Sequence, residues 1–261
     1  MTKLVELAKE FSQRHPGAKV VAVIPARLGS EEVHAKVLED LGGKPVIQHV
    51  YERVRRAGIF HRILHAVDHQ RIVEVVEGYG GEVVTTKTNH VCGSDRCAEA
   101  VADLRGVDVV VNVQADEPFL NPATLLEVVD PLLQDPELDV ATPCCRFRDD
   151  RAAANPFNVK VVRRSRPPHL ALYFSRSLVP FQRTPGILPH YQHLGVYAFR
   201  FDALMRFAAL GPSPLELREG LEQLRALEHA FRVLVVETQH SYAGIAINTP
   251  DDLRAARRVL D

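Results

Sequence analysis

The stretch 108–117, DVVVNVQADE, sets Val109, Val110, Val111 and Val113 in nearly continuous apolar order, interrupted only by Asn112, and no 3.6-residue period fits it. A run of that kind belongs on a strand buried on both faces, which means a parallel sheet with helices packed on either side. The run ends in Gln114-Ala115-Asp116-Glu117-Pro118, an amide and two carboxylates. In open α/β sheets ligands bind beyond the carboxyl ends of the strands, where these groups would hold a metal and its phosphate ligand. Asp116 is therefore the first candidate metal ligand. Capping of the helix that follows Pro118 is the alternative role for the two carboxylates.

The rest of the chain alternates around that strand. Strands are expected at 19–25, 62–67, 82–86, 138–143 and 231–237, and helices at 46–58, 70–79, 94–105, 122–134, 202–210, 214–229 and from Pro250 onward. Strand–helix alternation gives an α/β fold with a doubly wound, mostly parallel sheet in three layers. From about Asn155 the pattern changes. VKVVRR, LALYFSR and HLGVYAF are strands joined by proline-rich connections, which predicts an antiparallel insertion at about 155–200. Residues 1–18 form a separate amphipathic helix with Leu4, Leu7, Ala8 and Phe11 on one face, closed by Pro16-Gly17. The expected organisation is thus an N-terminal helical extension, 1–18, and a single domain, 19–261.

Charge narrows the partners. With 32 basic and 33 acidic side chains the net charge is −1, so there is no basic footprint for nucleic acid and no polybasic membrane patch. No apolar run approaches the roughly 18 residues that span a bilayer, and the first residues lack a signal-peptide core, so a cytoplasmic location and a small-molecule partner are expected. Cys92, Cys97, Cys144 and Cys145 fit neither a disulfide framework nor a CxxC metal pair and are read as reduced, structural thiols. Beyond the first strand, Arg27, Lys36 and Lys44 supply cations that suit a triphosphate, or a solvated surface. The loop has neither the GxxxxGK[ST] spacing of a P-loop nor GxGxxG.

IPAR (24–27), GGKPVIQHV (42–50), CGSDRCAE (92–99), NVQADEP (112–118), NPFNVKVV (155–162), LYFSR (172–176), HLGVYAF (193–199), SPLELREGLEQLR (213–225) and NTPDDL (248–253) occur in the order seen in CMP-Kdo synthetases, the 3-deoxy-manno-octulosonate cytidylyltransferases. The chain resembles that family from about residue 19 to its end. The resemblance implies a nucleotide-diphospho-sugar transferase-like fold and a Mg²⁺-dependent transfer of CMP from CTP to the anomeric hydroxyl of a 3-deoxy-2-keto sugar acid. Pyrophosphate is released, and the product serves lipopolysaccharide or capsule assembly. It further implies a homodimer associating through the antiparallel insertion. Carried onto this sequence, Arg27 and Lys36 hold the triphosphate, Ala26, Ser94, Arg96 and Gln114 surround the nucleotide, and Asp116 and Asn248 stand at the metal positions. Arg176, His193, Tyr197, Glu222 and Gln223 line the sugar-acid pocket, where a guanidinium matches a carboxylate.

Three positions depart from the family pattern. Glu32 stands where an arginine is expected, with His34-Ala35 in place of Pro-Gly; Asn248 stands where the second metal-binding aspartate belongs; Ala115 replaces a glycine. Near ~4 Å and an effective dielectric of ~20, a unit charge is worth about 4 kcal/mol, so Glu32 facing phosphates would repel them unless a cation intervenes. Asn248 offers magnesium an amide oxygen without charge. A weakly active or non-catalytic nucleotide- or sugar-binding paralogue, and a cytidylyltransferase with another acidic acceptor, stand as alternatives.

Overall fold

The computed structural model describes residues 2–28, 36–184, 186–242, 246–247 and 249–260. In chain order the elements are α1 (Thr2–Arg14), β1 (Val20–Ala26), a 3₁₀ turn (Lys36–Leu38), β2 (Asp40–Leu41), β3 (Lys44–Pro45), α2 (Val46–Arg56), β4 (Arg62–Val67), α3 (Gln70–Gly78), β5 (Glu82–Thr85), α4 (Gly93–Val101), β6 (Val109–Val113) and α5 (Pro122–Gln134). They continue with β7 (Val140–Arg146), α6 (Asp150–Ala154), β8 (Lys160–Arg163), β9 (Ala171–Ser175), β10 (Tyr191–His193), β11 (Val196–Arg200), α7 (Phe201–Ala208), α8 (Pro214–Glu219), α9 (Gln223–Glu228), β12 (Val233–Glu237) and α10 (Pro250–Leu260).

The main sheet has the order β5-β4-β1-β6-β11-β7-β10-β8-β9, with β12 pairing β7. Strands β5, β4, β1, β6, β7, β12 and β8 share one direction, and β11, β10 and β9 oppose it. Successive residues of a strand face opposite sides. In β1, Val20, Ala22 and Ile24 join the apolar layer containing α2 and α5, while Val21 and Val23 join the layer containing α4, α7 and α9. The strand therefore reads as an unbroken apolar run. Full burial of each such side chain is worth about 1.5–3 kcal/mol. Asn112 of β6 points to the α4 side and is fully buried.

Helix α1 lays Leu4, Leu7, Ala8 and buried Phe11 on the first layer. Arg14 and His15 both reach Asp130 of α5, at 2.5 and 2.8 Å.

The sheet departs from the sequence expectation in the insertion. HLGVYAF does not form one peripheral strand. It breaks at Leu194-Gly195 into β10 and β11, and β11 lies in the middle of the sheet, antiparallel to β6 and β7. The helix expected over 214–229 is two helices, because Gly220 adopts φ 63° and ψ 43°, a left-handed conformation open to glycine at little cost. Helix α4 stops at Val101 rather than 105. Asp116 and Glu117 do not cap α5. Asn121 does, its side chain accepting from Ala123 N at 3.1 Å.

Candidate active site

Past the carboxyl end of β6 lies a cavity of about 660 Å³. Its floor is Gln114, Asp116 and Glu117, and its walls come from the start of α4, the 155–159 turn, β10–β11, the α8–α9 junction, and Tyr242, Ala246, Thr249 and Asp252. The antiparallel strand β11 is what closes it, since it brings Gly195 and Tyr197 beside β6. A Cβ on Gly93 would lie 3.0 Å from Gln114 Nε2 and 3.3 Å from Asn112 Nδ2, so α4 starts in close contact with the floor and a larger residue there would push these amides aside by a few tenths of an ångström.

Lys36 Nζ donates to Asp116 Oδ2 at 2.9 Å. The backbone around Asp116 is anchored by Ile247 N, which donates to its carbonyl at 2.9 Å. Next to it Glu117 is buried, accepting from Tyr242 Oη at 2.8 Å. Burial, and then the Asp116 charge, raise the Glu117 carboxyl to about 8. Tyr242 was not foreseen as part of the site. It stands 125 residues from Glu117, an isolated aromatic in the segment His240-Ser241-Tyr242.

Ala26 ends β1 in the core, and Arg27 beyond it is exposed. Ser94 and Arg96 are buried in α4 beneath the cavity and are not among the residues that line it. Ser94 N donates to Glu222 Oε2 at 2.9 Å, so a carboxylate from a distant segment caps α4, where Cys92 gives no side-chain cap. Asn112 Nδ2 donates to Ser94 Oγ at 3.1 Å and to Glu222 Oε1 at 3.4 Å. Burial raises the pKa of Glu222. Arg96 is bound to Asp68 at 2.8 Å and to Thr86 Oγ1 at 2.7 Å, tying together the ends of β4 and β5.

Arg176, His193, Tyr197, Glu222 and Gln223 all line the same cavity. Arg176 stands just past β9; its Nε donates to Glu219 O at 2.7 Å and its Nη1 to Pro156 O at 3.2 Å. Thr142 gives its hydroxyl proton to Val196 O, so His193 Nε2 must donate to Thr142 Oγ1, 2.7 Å away. Burial alone pushes His193 down to about 3. The Tyr197 hydroxyl donates to Gln223 Oε1 at 3.0 Å. Gln223 is buried, yet its Nε2 has no partner among the described residues. A buried amide nitrogen without an acceptor costs about 1–3 kcal/mol, which a ligand oxygen would relieve. Behind this wall Arg225, fully buried, binds Asp95 and Glu216 with bonds of 2.7 to 3.1 Å and lies over the Phe207 ring at 4.4 Å. This network fixes the junction that carries Glu222 and Gln223.

Magnesium takes hard oxygen ligands, keeps several waters and needs one or two carboxylates together with phosphates. The donors here fit that demand: Asp116 lines the cavity, and Glu117 and Asp252 line it as well. Among the described residues no group of three His, Cys, Asp or Glu side chains could cage a metal by itself. Of the departures from the family pattern, Glu32, His34-Ala35 and Asn248 lie outside the described residues, and Ala115 is buried.

A family model described as Cytidylyltransferase matches residues 21–234. The 3-deoxy-manno-octulosonate cytidylyltransferase of Acaryochloris marina is 44% identical over 238 residues, covering 91% of this chain and 96% of that one. Its counterpart in Geobacter sulfurreducens is 43% identical over 245 residues, covering 90% and 96%. Among solved structures, CMP:2-keto-3-deoxy-manno-octonic acid synthetase complexed with CTP superposes with a TM-score of 0.85 at 36% identity, covering 93% of this chain and 98% of that one. A 4-diphosphocytidyl-2C-methyl-D-erythritol synthase from Anaerococcus prevotii shares the fold, with a TM-score of 0.61 at 14% identity. Likeness of this depth covers about nine-tenths of the chain, and the chain belongs to the cytidylyltransferase family, among the 3-deoxy-manno-octulosonate cytidylyltransferases.

Proposed function

We propose that the cavity transfers CMP from CTP to the anomeric hydroxyl of 3-deoxy-manno-octulosonate, releasing pyrophosphate. The observation that carries this reading is one cavity whose lining brings together Asp116, bound by Lys36, and Arg176 with Gln223, whose buried amide nitrogen has no described partner. Ala26, Arg27, Lys36, Ser94, Arg96 and Gln114 are assigned to the nucleotide, Ser94 and Arg96 acting from beneath as supports. Arg176, His193, Tyr197, Glu222 and Gln223 are assigned to the sugar acid. Arg176 pairs with its carboxylate, and Gln223 Nε2 donates to an acceptor oxygen.

Asp116 is assigned to Mg²⁺, with Asn248 as a neutral oxygen donor. Bound there, the ion would neutralise charge on the phosphates. The remaining chemistry asked of the chain is positioning and electrostatic stabilisation. Lys36 and Arg27 offset the charge that builds on the departing pyrophosphate.

A homodimer and a cytoplasmic location belong to the same proposal. Leu172, Leu178, Phe181, Ile187 and Leu188 are exposed on and beyond β9 and support pairing of two copies through the insertion. The four free cysteines suit a reducing compartment. No described helix is long and apolar enough to cross a membrane. Calorimetric titration of CTP with and without Mg²⁺, followed by pyrophosphate release with 3-deoxy-manno-octulosonate, tests the function. Saturable release dependent on both substrates is expected. CTP binding without release would leave the non-catalytic reading that Glu32 and Asn248 raise.

A further inference from the structure

Lys160 is among the largest side chains that the fold buries completely, and nothing in the roles above uses it. It opens β8, one step beyond the turn that forms a wall of the cavity. Its Nζ donates to Asn155 O at 3.0 Å and to Asn158 O at 2.7 Å, the carbonyls at the two ends of that turn. Among the described residues no carboxylate is hydrogen-bonded to it. Burial, and then the Arg176 charge, lower its pKa, while Glu219 acts in the opposite sense. A desolvated cation held by carbonyls alone is an expensive way to close a turn. Polar side chains that close it more cheaply are already in place: Asn155 Oδ1 accepts from Phe157 N at 2.9 Å, and Asn158 Nδ2 donates to Ala152 O at 2.9 Å.

The surroundings supply a reason for the charge. Asp116, Glu117, Glu216, Glu222 and Asp252 line the cavity, where Arg176 is the described lining guanidinium; Asp116 is bound by Lys36 and Glu216 by Arg225, and burial raises the carboxyls of Glu117 and Glu222. Arg176 itself grips the turn through Pro156 O at 3.2 Å. Lys160 and Arg176 thus hold three carbonyls of one turn, Asn155 and Asn158 from one side chain and Pro156 from the other, and each places positive charge beside the same wall of the cavity. Asn155, Phe157 and Asn158 of the turn face that space.

We propose that Lys160 is a positioning residue for the acceptor acid: its sealed ammonium fixes the 155–158 turn beside Arg176 and adds positive potential there, leaving nucleotide binding unaffected. This rests on the reading that places the sugar acid beside Arg176.

Lys160→Met keeps the length of the side chain and removes both the charge and the donors. Steady-state kinetics on the full chain should show the KM for 3-deoxy-manno-octulosonate rising at least about tenfold, with the KM for CTP within about twofold of the parent. Lys160→Gln keeps a neutral donor and should fall between the parent and the methionine variant; it also provides the reading if the methionine variant does not fold. Circular dichroism melting reports folding in each case. Folded variants with an unchanged acceptor KM, or with equal rises for both substrates, would overturn the proposal, as would loss of folding in both. A parent chain that binds CTP yet transfers nothing to the acid would instead remove the acceptor reading beneath it.

Discussion

The hydroxyl of Tyr197 donates to Gln223 Oε1 at 3.0 Å, and that bond decides which way a buried amide faces in the cavity. With its oxygen engaged, Gln223 has only its nitrogen to offer a ligand. Tyr197→Phe frees the amide to rotate. The expected result is a loss of about 1–3 kcal/mol in sugar-acid binding by calorimetry, with CTP binding unchanged. Equal binding by parent and variant would mean that the tyrosine does not orient the amide.

Asp116→Ala should cut pyrophosphate release by about 100-fold or more, a barrier increase near 3 kcal/mol. The side chain is 23% exposed in a loop, so the melting temperature should change little. Transfer at the parental rate would remove Asp116 from the reaction.

Arg225→Met leaves Asp95 and Glu216 facing each other without their guanidinium. A destabilisation of about 3–5 kcal/mol is expected, because breaking one side of a buried pair strands the other. Urea unfolding monitored by circular dichroism measures it. A variant within about 1 kcal/mol of the parent would show that the two carboxylates take up protons or water without strain.

Acid should weaken the fold through two histidines. His193 is held down to about 3 and His65 to about 4, both by burial. His65 Nε2 faces Tyr79 Oη at 3.0 Å, while its Nδ1 lies 3.1 Å from Glu82 O and supplies that bond. An unfolded imidazole titrates near 6.5, so below that pH the unfolded chain takes up protons that the folded chain refuses. Stability is complete above about pH 6.5 and is lost as pH falls toward the folded values, by about 2 kcal/mol per histidine at pH 5. Urea midpoints at pH 7 and pH 5 should differ accordingly, and His193→Gln should flatten the dependence. Equal slopes for variant and parent would assign the acid response elsewhere.

What the sequence made legible follows from how local the causes are. The strand at 109–113 and the loop ending in Asp116 were readable because burial on both faces leaves a run with no helical period. That Arg176, His193, Tyr197, Glu222 and Gln223 line one cavity was readable only through resemblance, since Arg176 and Gln223 come from elements whose proximity is a matter of topology. The position of β11 was hidden for the same reason: its alternation says strand, and only its pairing with both β6 and β7 makes it central. The break at Gly220 was hidden because a glycine among good helix formers costs about 1 kcal/mol and does not by itself end a helix. Glu222 capping α4 joins groups 128 residues apart, and no local pattern announces it.

The central place of β11 also dictates an order of events during synthesis. Strands β1, β4, β5 and β6 can pair as soon as residue 113 is free, but the open side of β6 waits for residues 196–200. Those residues follow about 90 positions later, roughly 5–18 s at bacterial and eukaryotic elongation rates taken together. Through that interval a nascent chain carries an apolar valine strand with one edge unpaired, which makes it a natural client for a chaperone that recognises extended hydrophobic segments. The cavity cannot exist before β11 arrives, so ligand binding by the growing chain begins only after its sheet is closed.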